Sequence, residues 1–254
     1  MRYLTIYLLF FSGCTSSQNN AEKSQNPGQS PEVQLTRNEL WVRAINEHKD
    51  SLSNSYLDNS IKVLPSGEIL SGKTQILESY KSQSRVSKVE VIKTVQADQG
   101  DQFDYEIGVF TDSTGQTYKH LLIWDKRAKK RLLEFIAPSE PQKADTSYIS
   151  TRRAEWIRYC NQHNVDLLVN DLYMIDAIYY NHRPVINGRE KITETYSYMR
   201  RDTYQLTLTP LIVEPVNEHM AFEIGQCSGS YNGKYLLVWK RGDDGWKIFL
   251  DSNI

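Results

Sequence analysis

The chain is poor in cysteine, in charge imbalance and in long apolar runs. Three cysteines in 254 residues are too few for a disulfide scaffold. The five histidines, His48, His120, His163, His182 and His219, are isolated from one another, and no cysteine or histidine spacing resembles a metal site. The expectation is therefore no metal and no cofactor. Basic and acidic residues nearly cancel, 30 against 31, which leaves neither a basic stripe for nucleic acid nor an acidic tail. The first apolar run, Leu4 to Phe11, falls far short of the roughly 20 residues that span a bilayer.

That short run reads as an address. Arg2 gives it a small positive start, and Ser12-Gly13-Cys14 closes it with small residues before a cysteine, the pattern of a removed secretory signal. It resembles a bacterial lipoprotein signal, over residues 1–14, in which Cys14 is lipidated and becomes the new N-terminus. Residues 15–32 hold one apolar residue, Ala21, among Ser, Gln, Asn, Pro and Gly, and are expected to be a disordered tether reaching about 25 Å. The expected partner there is a membrane, met through the lipid. Thr15, not Asp, after the cysteine favours the outer over the inner membrane of the envelope. Cys160 and Cys227 then remain, and either a disulfide or two separate buried thiols fits them.

What is present is a repetition. Trp41, Gly72-Lys73-Thr74-Gln75-Ile76, Glu106-Ile107-Gly108 and Leu121-Leu122-Ile123-Trp124 recur as Trp156, Gly188-Arg189-Glu190-Lys191-Ile192, Glu223-Ile224-Gly225 and Leu236-Leu237-Val238-Trp239. A period of this length marks a duplicated domain and not a solenoid. Each copy opens with an amphipathic helix, the first behind a Thr36/Glu39 capping box, the second carrying Trp156, Ile157, Cys160, Leu167 and Leu168 as its stripe. A glycine turn and a second helix follow. Four alternating segments then read as strands: 86–95, 105–111, 118–124 and 132–136 in one copy, and 205–213, 221–231, 234–241 and 246–251 in the other. Helices before antiparallel strands make an α+β fold, with domains at 33–138 and 147–254 joined by a polar linker, 139–146.

Each copy resembles the nuclear transport factor 2-like superfamily, in its SnoaL-like, ketosteroid-isomerase-like branch. The residues that carry the resemblance are Trp156, the run from Asp166 to Ala177, Asn187 to Ile192, Tyr235 to Lys240 and Gly245 to Ile248. It implies two tandem cone-shaped domains, each with helices packed on a strongly curved antiparallel sheet. It further implies a pocket between sheet and helices, where enzyme members hold an Asp or His as proton-transfer base and a Tyr or protonated acid as oxyanion donor.

In the second copy the catalytic candidates are His163, at the end of the first helix, and Asp176. The expected ligand-binding set is Tyr159, His163, Asp176, Tyr179, Tyr235 and Asp251. Glu223 is a further carboxylate, but alternation places Phe222, Ile224 and Gln226 opposite it, and the expectation is that it faces outward. Trp124, Trp156 and Trp239 are expected in the core. Carried on from the Trp124/Trp239 match, the first copy has Glu134-Phe135-Ile136-Ala137 where the second has Phe249-Leu250-Asp251-Ser252, and Arg131 where the second has Trp246. On that reading the first copy has lost its polar terminus, and any pocket belongs to the second.

No acid–base pair is well spaced in either copy, so the expected function is a non-catalytic, membrane-anchored module for a small apolar ligand. Two alternatives stand beside it. One is a structural or assembly protein whose copies form an internal pseudo-dimer, or which homodimerises. The other is a cofactor-free isomerase, cyclase or dehydratase acting in the second copy.

Overall fold

The computed structural model describes residues 35–47, 49–96, 98, 100–181 and 184–254. The expected signal at 1–14, the lipidation site Cys14, the tether at 15–32, and His48 and His182 lie outside those residues.

The first half begins with α1 (Arg37–Asn46). Its capping box is formed: the Thr36 hydroxyl accepts from the Glu39 amide at 3.3 Å, and the Glu39 carboxylate accepts from the Thr36 amide at 2.7 Å. Trp41, Ala44 and Ile45 are buried on one helical face. After a 3₁₀ segment (Lys49–Ser55) come β1 (Tyr56–Val63), β2 (Ile69–Ser71) and α2 (Lys73–Ser79). The meander β3 (Val86–Val95), β4 (Phe103–Asp112), β5 (Thr117–Asp125) and β6 (Lys130–Pro138) completes it. The second half repeats this order. It comprises α3 (Ser147–Asn161), α4 (Val165–Leu172), β7 (Tyr173–Tyr180), β8 (Ile186–Asn187), α5 (Arg189–Thr195) and a 3₁₀ segment (Tyr196–Arg200). Then follow β9 (Leu206–Asn217), β10 (Met220–Gly229), β11 (Gly233–Gly242) and β12 (Gly245–Ser252). Gly72 and Gly188 precede α2 and α5 with φ of +85° and +92°, a backbone that a side chain would strain.

Each half is α+β, with helices ahead of one six-stranded sheet. The strand orders correspond, β2-β1-β6-β5-β4-β3 and β8-β7-β12-β11-β10-β9. All pairings are antiparallel except β1 with β6 and β7 with β12, where the first long strand runs parallel to the last. Register shifts in the long pairings bend the sheets around their helices.

Three cores result. One lies inside the first half, around Trp41, Tyr56, Ile76, Tyr80 and Phe110. One lies inside the second, around Trp156, Tyr173, Ile192, Tyr196 and Trp239. The third is shared: Ile61, Ile107, Leu121 and Phe135 of one sheet cluster with Ile178, Phe222, Ile224 and Leu250 of the other. Phe135 meets Phe222 and Phe249 edge-on, with ring centroids 5.6 and 6.1 Å apart. Polar ties edge this contact. The Tyr105 hydroxyl donates to the Ile254 carbonyl at 2.7 Å and Lys240 Nζ to the Pro65 carbonyl at 2.6 Å. Residues 35–254 are accordingly one compact unit.

Two expectations are corrected here. The opening helix of the second half does not run on to Leu168. It ends at Asn161, His163 takes φ +59°, and Asn164 caps α4 by accepting from the Leu167 amide at 3.0 Å. Leu167 is exposed. Glu223 does not face outward: it is fully buried on the helix side of its sheet, because the opposite face, with Phe222 and Ile224, is occupied by the first half. The open question about Cys160 and Cys227 closes on two free, buried thiols. Among the described residues no helix is long and apolar enough to cross a membrane.

Candidate functional site

Among the described residues each half holds a pair of corresponding carboxylates between its sheet and its helices, Glu106 and Glu134 in the first and Glu223 and Asp251 in the second. The first carboxylate belongs to the Glu-Ile-Gly motif. In β10, Glu223 accepts from Arg153 of α3 through two parallel bonds of 2.6 and 2.9 Å, from the Tyr235 hydroxyl at 2.6 Å and from Trp239 Nε1 at 2.8 Å. In β4, Glu106 accepts from Asn38 Nδ2 at 2.7 Å and Arg37 Nη2 at 3.0 Å, with His120 Nε2 at 3.3 Å. Burial would raise the Glu106 carboxyl, but His120, Asn38 and Arg37 together hold it at about 2. The glycine of the motif has a steric cause. A Cβ on Gly225 would lie 2.2 Å from Cζ of Tyr235, and one on Gly108 would lie 2.3 Å from Nε2 of His120. Only glycine lets the cross-strand ring lie over the backbone to reach the glutamate.

The second carboxylate is on the last strand. Asp251 and Glu134 are equivalent: Asp251 stands opposite Leu237 and Tyr179, as Glu134 stands opposite Leu122 and Lys62. This corrects the match of the last strands carried on from Trp124 and Trp239. The β11–β12 hairpin pairs Trp239 with Ile248, where β5–β6 pairs Trp124 with Arg131, so the second hairpin is two residues longer. The first half has therefore kept its polar terminus, as Glu134. Arg131 matches Ile248 and not Trp246.

A tryptophan and two tyrosines serve each of these acids. Trp156 Nε1 donates to the Tyr173 hydroxyl at 3.1 Å, and the Tyr173 and Tyr196 hydroxyls donate to Asp251 Oδ2 at 2.6 and 2.5 Å. In the first half Trp41 Nε1 donates to the Tyr56 hydroxyl at 3.3 Å, and Tyr56 donates to Glu134 at 2.6 Å, joined by Tyr80. The surroundings then diverge. Arg131 Nη1 donates to Glu134 at 2.6 Å with its guanidinium 4.2 Å from the Trp41 ring centroid, and Lys62 Nζ lies 3.3 Å from Glu134. Burial raises the Glu134 carboxyl, but Lys62, Arg131 and the two tyrosines outweigh it and hold the group at about 2. Asp251 has Tyr179 and Ile248 in place of those two cations. Burial dominates, the tyrosine bonds offset only part of it, and Asp251 is pushed up to about 6.

A small cavity, ≈ 20 Å³, adjoins Asp251, walled by Trp156, Tyr196, Met199, Cys227 and Tyr235. Cys227 stands where the first half has Phe110, on which the half-buried Tyr118 stacks at 5.1 Å; over Gly233, the counterpart of Tyr118, lies the Tyr231 ring. The volume is that of one water. Larger clefts, such as that of ≈ 560 Å³ beside Asp145 and Arg241, are open to solvent and contain no buried acid.

Of the expected site residues, Asp251 and Tyr235 line this cavity, and Tyr179 supports it by donating to Asn253 Oδ1 at 2.8 Å. Three others are placed elsewhere. His163 turns its Nδ1 to the Met199 carbonyl at 3.2 Å, behind the cavity wall. Asp176 is exposed on β7. The Tyr159 hydroxyl donates to Asp171 at 3.2 Å, and its ring lies under Arg158. The catalytic candidates His163 and Asp176 are thus not brought together with the buried acid. Tyr173, Tyr196 and Trp156 surround the buried acid; from sequence Trp156 is expected only in the core, and the two tyrosines are not singled out. Their recurrence as Tyr56, Tyr80 and Trp41 is the signal that could have found them. Among the described residues no group of three or more His, Cys, Asp or Glu side chains is placed to hold a metal ion.

Chemically, the site is an acid that burial pushes up to about 6, with two tyrosine donors on one oxygen. Among the described residues Oδ1, the other carboxylate oxygen, accepts no hydrogen bond.

No protein-family model matches the chain, and no curated protein matches it. Solved structures do. A nuclear transport factor 2-like protein of unknown function from Shewanella oneidensis MR-1 is similar at 15% identity over 42% of this chain and 97% of its own, with a TM-score of 0.39. A domain of unknown function with a cystatin-like fold from Nostoc punctiforme is similar at 20% identity over 43% and 75%, with a TM-score of 0.38. A further nuclear transport factor 2-like protein, from Pseudomonas putida KT2440, is similar at 12% identity over 42% and 83%, with a TM-score of 0.35.

Proposed function

We propose that this chain is a non-catalytic, small-molecule-binding module, held at the bacterial cell envelope by lipid on Cys14, with its ligand site in the second half and a structural first half. One observation carries the reading: two cations that neutralise Glu134, Arg131 and Lys62, have Ile248 and Tyr179 as counterparts beside Asp251. The first half spends its polar groups on each other and fills its interior with Phe110. In the second half an acceptor oxygen and a cavity remain side by side. Small ligand sites need convergent polar groups in an apolar wall, and this cavity has them. An occupant larger than water must displace Met199 or Tyr196, which sit on the short segment Tyr196–Arg200.

Native mass spectrometry of the full mature chain, isolated from its own envelope, tests this. A small molecule retained by the wild type and lost in Asp251→Asn supports the reading; an empty protein, or a molecule retained equally by Asp251→Asn, overturns it. A second reading, a proton-transfer enzyme, draws on the Asp251 carboxyl standing at about 6 between two tyrosine donors. It requires turnover that Asp251→Asn abolishes.

A further inference from the structure

We infer that the cavity beside Asp251 takes a primary ammonium group, which supplies from outside the positive charge that the first half builds into its own chain. The inference rests on the reading of that cavity as a ligand site and adds the chemical class.

The first half is an internal reference for what this arrangement of rings and carboxylate accommodates. Around Glu134 it places an ammonium, Lys62 Nζ, 3.3 Å from Oε1 and 3.7 Å from the centroid of the Tyr80 ring, and a guanidinium, Arg131, over Trp41. Carboxylate and aromatic faces both attract a desolvated cation. The second half keeps every attractive element, in Asp251, Tyr196, Tyr173 and Trp156, and none of the cations. Nothing else nearby compensates. The titratable groups turned towards Asp251 are Tyr173 and Tyr179 of β7, Tyr196 and Tyr198 of the 3₁₀ segment and Cys227 of β10; Tyr235 of β11, which also lines the cavity, turns its hydroxyl to Glu223. Burial pushes each hydroxyl and thiol upward, so all are neutral at pH 7. Arg153 is committed to Glu223 by two bonds.

Size and acceptors select within the cations. The cavity of ≈ 20 Å³ accepts a group the size of water, which an ammonium is and a guanidinium is not. Asp251 and Tyr235, each with an oxygen able to accept, are among the residues that line it, with Trp156 and Tyr196 as further walls. Leu208 and Leu237 complete the lining, and an apolar substituent on the nitrogen enters as Met199 or Tyr196 moves aside.

The test compares methylammonium with methanol, its neutral counterpart of the same shape, on the full chain at pH 7.5 and pH 5.0, followed by NMR. Methylammonium is expected to bind in the second half about tenfold more tightly at pH 7.5, where Asp251 is ionised, and at least tenfold more tightly than methanol. Asp251→Asn should remove binding, Tyr179→Lys should remove it by supplying an internal ammonium as Lys62 does, and Asp176→Asn should leave it intact. Where a variant fails to fold, the wild-type Asp251 carboxyl decides: saturating methylammonium should lower its titration midpoint by about one pH unit. Methanol binding as well as methylammonium, or methylammonium binding with no dependence on pH, overturns the ammonium assignment and leaves the ligand site standing. Neither probe binding while mass spectrometry also finds no retained molecule overturns both.

Discussion

Asp251 and Tyr179 stand opposite each other across the β7–β12 pair, at the place where the first half sets Glu134 against Lys62. One scaffold thus holds a carboxylate in two electrical states, ionised with its cations in one half and raised to about 6 without them in the other.

The two acids should respond to pH with opposite sign. Asp251 binds its proton more tightly folded than unfolded, so its effect on stability is harmless below about pH 4 and grows adverse as pH rises through 6. Glu134, depressed to about 2, stabilises above its unfolded value near 4.5 and loses that contribution as pH falls towards 2. Asp251→Asn is therefore expected to stabilise the protein at pH 7.5, by roughly 1–3 kcal/mol, and to change little at pH 3.5. Glu134→Gln should destabilise at pH 7.5. Urea unfolding of both variants at the two pH values checks this, and a destabilised Asp251→Asn at pH 7.5 would contradict it.

Adding one methyl group to the Glu-Ile-Gly motif should be costly. Gly225→Ala brings Cβ to 2.2 Å from the Tyr235 ring and must push that ring off Glu223. A loss of about 1–3 kcal/mol is expected, as for overpacked cores. Gly108→Ala should cost more, because its Cβ also meets the Glu90 carbonyl at 2.8 Å, and backbone cannot swing away. Thermal unfolding of the two variants, compared with Ala substitutions at exposed positions, measures the difference.

Arg153→Ala should leave Glu223 buried without its cation. Removal of one partner from a buried pair costs about 3–5 kcal/mol. Arg153→Ala combined with Glu223→Gln should recover part of the loss, since the Tyr235 and Trp239 bonds remain available to an amide oxygen. A double variant no more stable than the single one in denaturant would show that the pair is not coupled.

Much of the fold could be read from alternation. Strands such as 86–95 and 118–124 lie within one residue of β3 and β5, and the Thr36/Glu39 box formed as read. The candidate site was less legible. Parity along β10 is sound, but it assigns Glu223 to solvent only if one face of the sheet is wet, and here both are dry. The match between Glu134 and Asp251 was hidden by a hairpin two residues longer in one half, which no constant offset tracks. His163 looked like the end of a helical stripe, but its left-handed backbone breaks the helix before it.

Cys14→Ser is expected to move the protein from the membrane fraction to the soluble one, with circular dichroism unchanged. The short apolar run before Cys14 and the polar segment after it motivate this. A variant still wholly membrane-bound would exclude lipid on Cys14 as the anchor.

The core shared by the two sheets has a consequence for how the halves can change. In an assembly of identical subunits each substitution falls twice, once on either side of the axis, so a lost cation is lost from both sites together. Here the mating surface, with Phe135 against Phe222, joins two stretches of one chain, and each substitution falls once. Lys62 and Arg131 can persist while their counterparts become Tyr179 and Ile248. One copy is free to hold the architecture rigid, and the other can drift in charge and volume without endangering it.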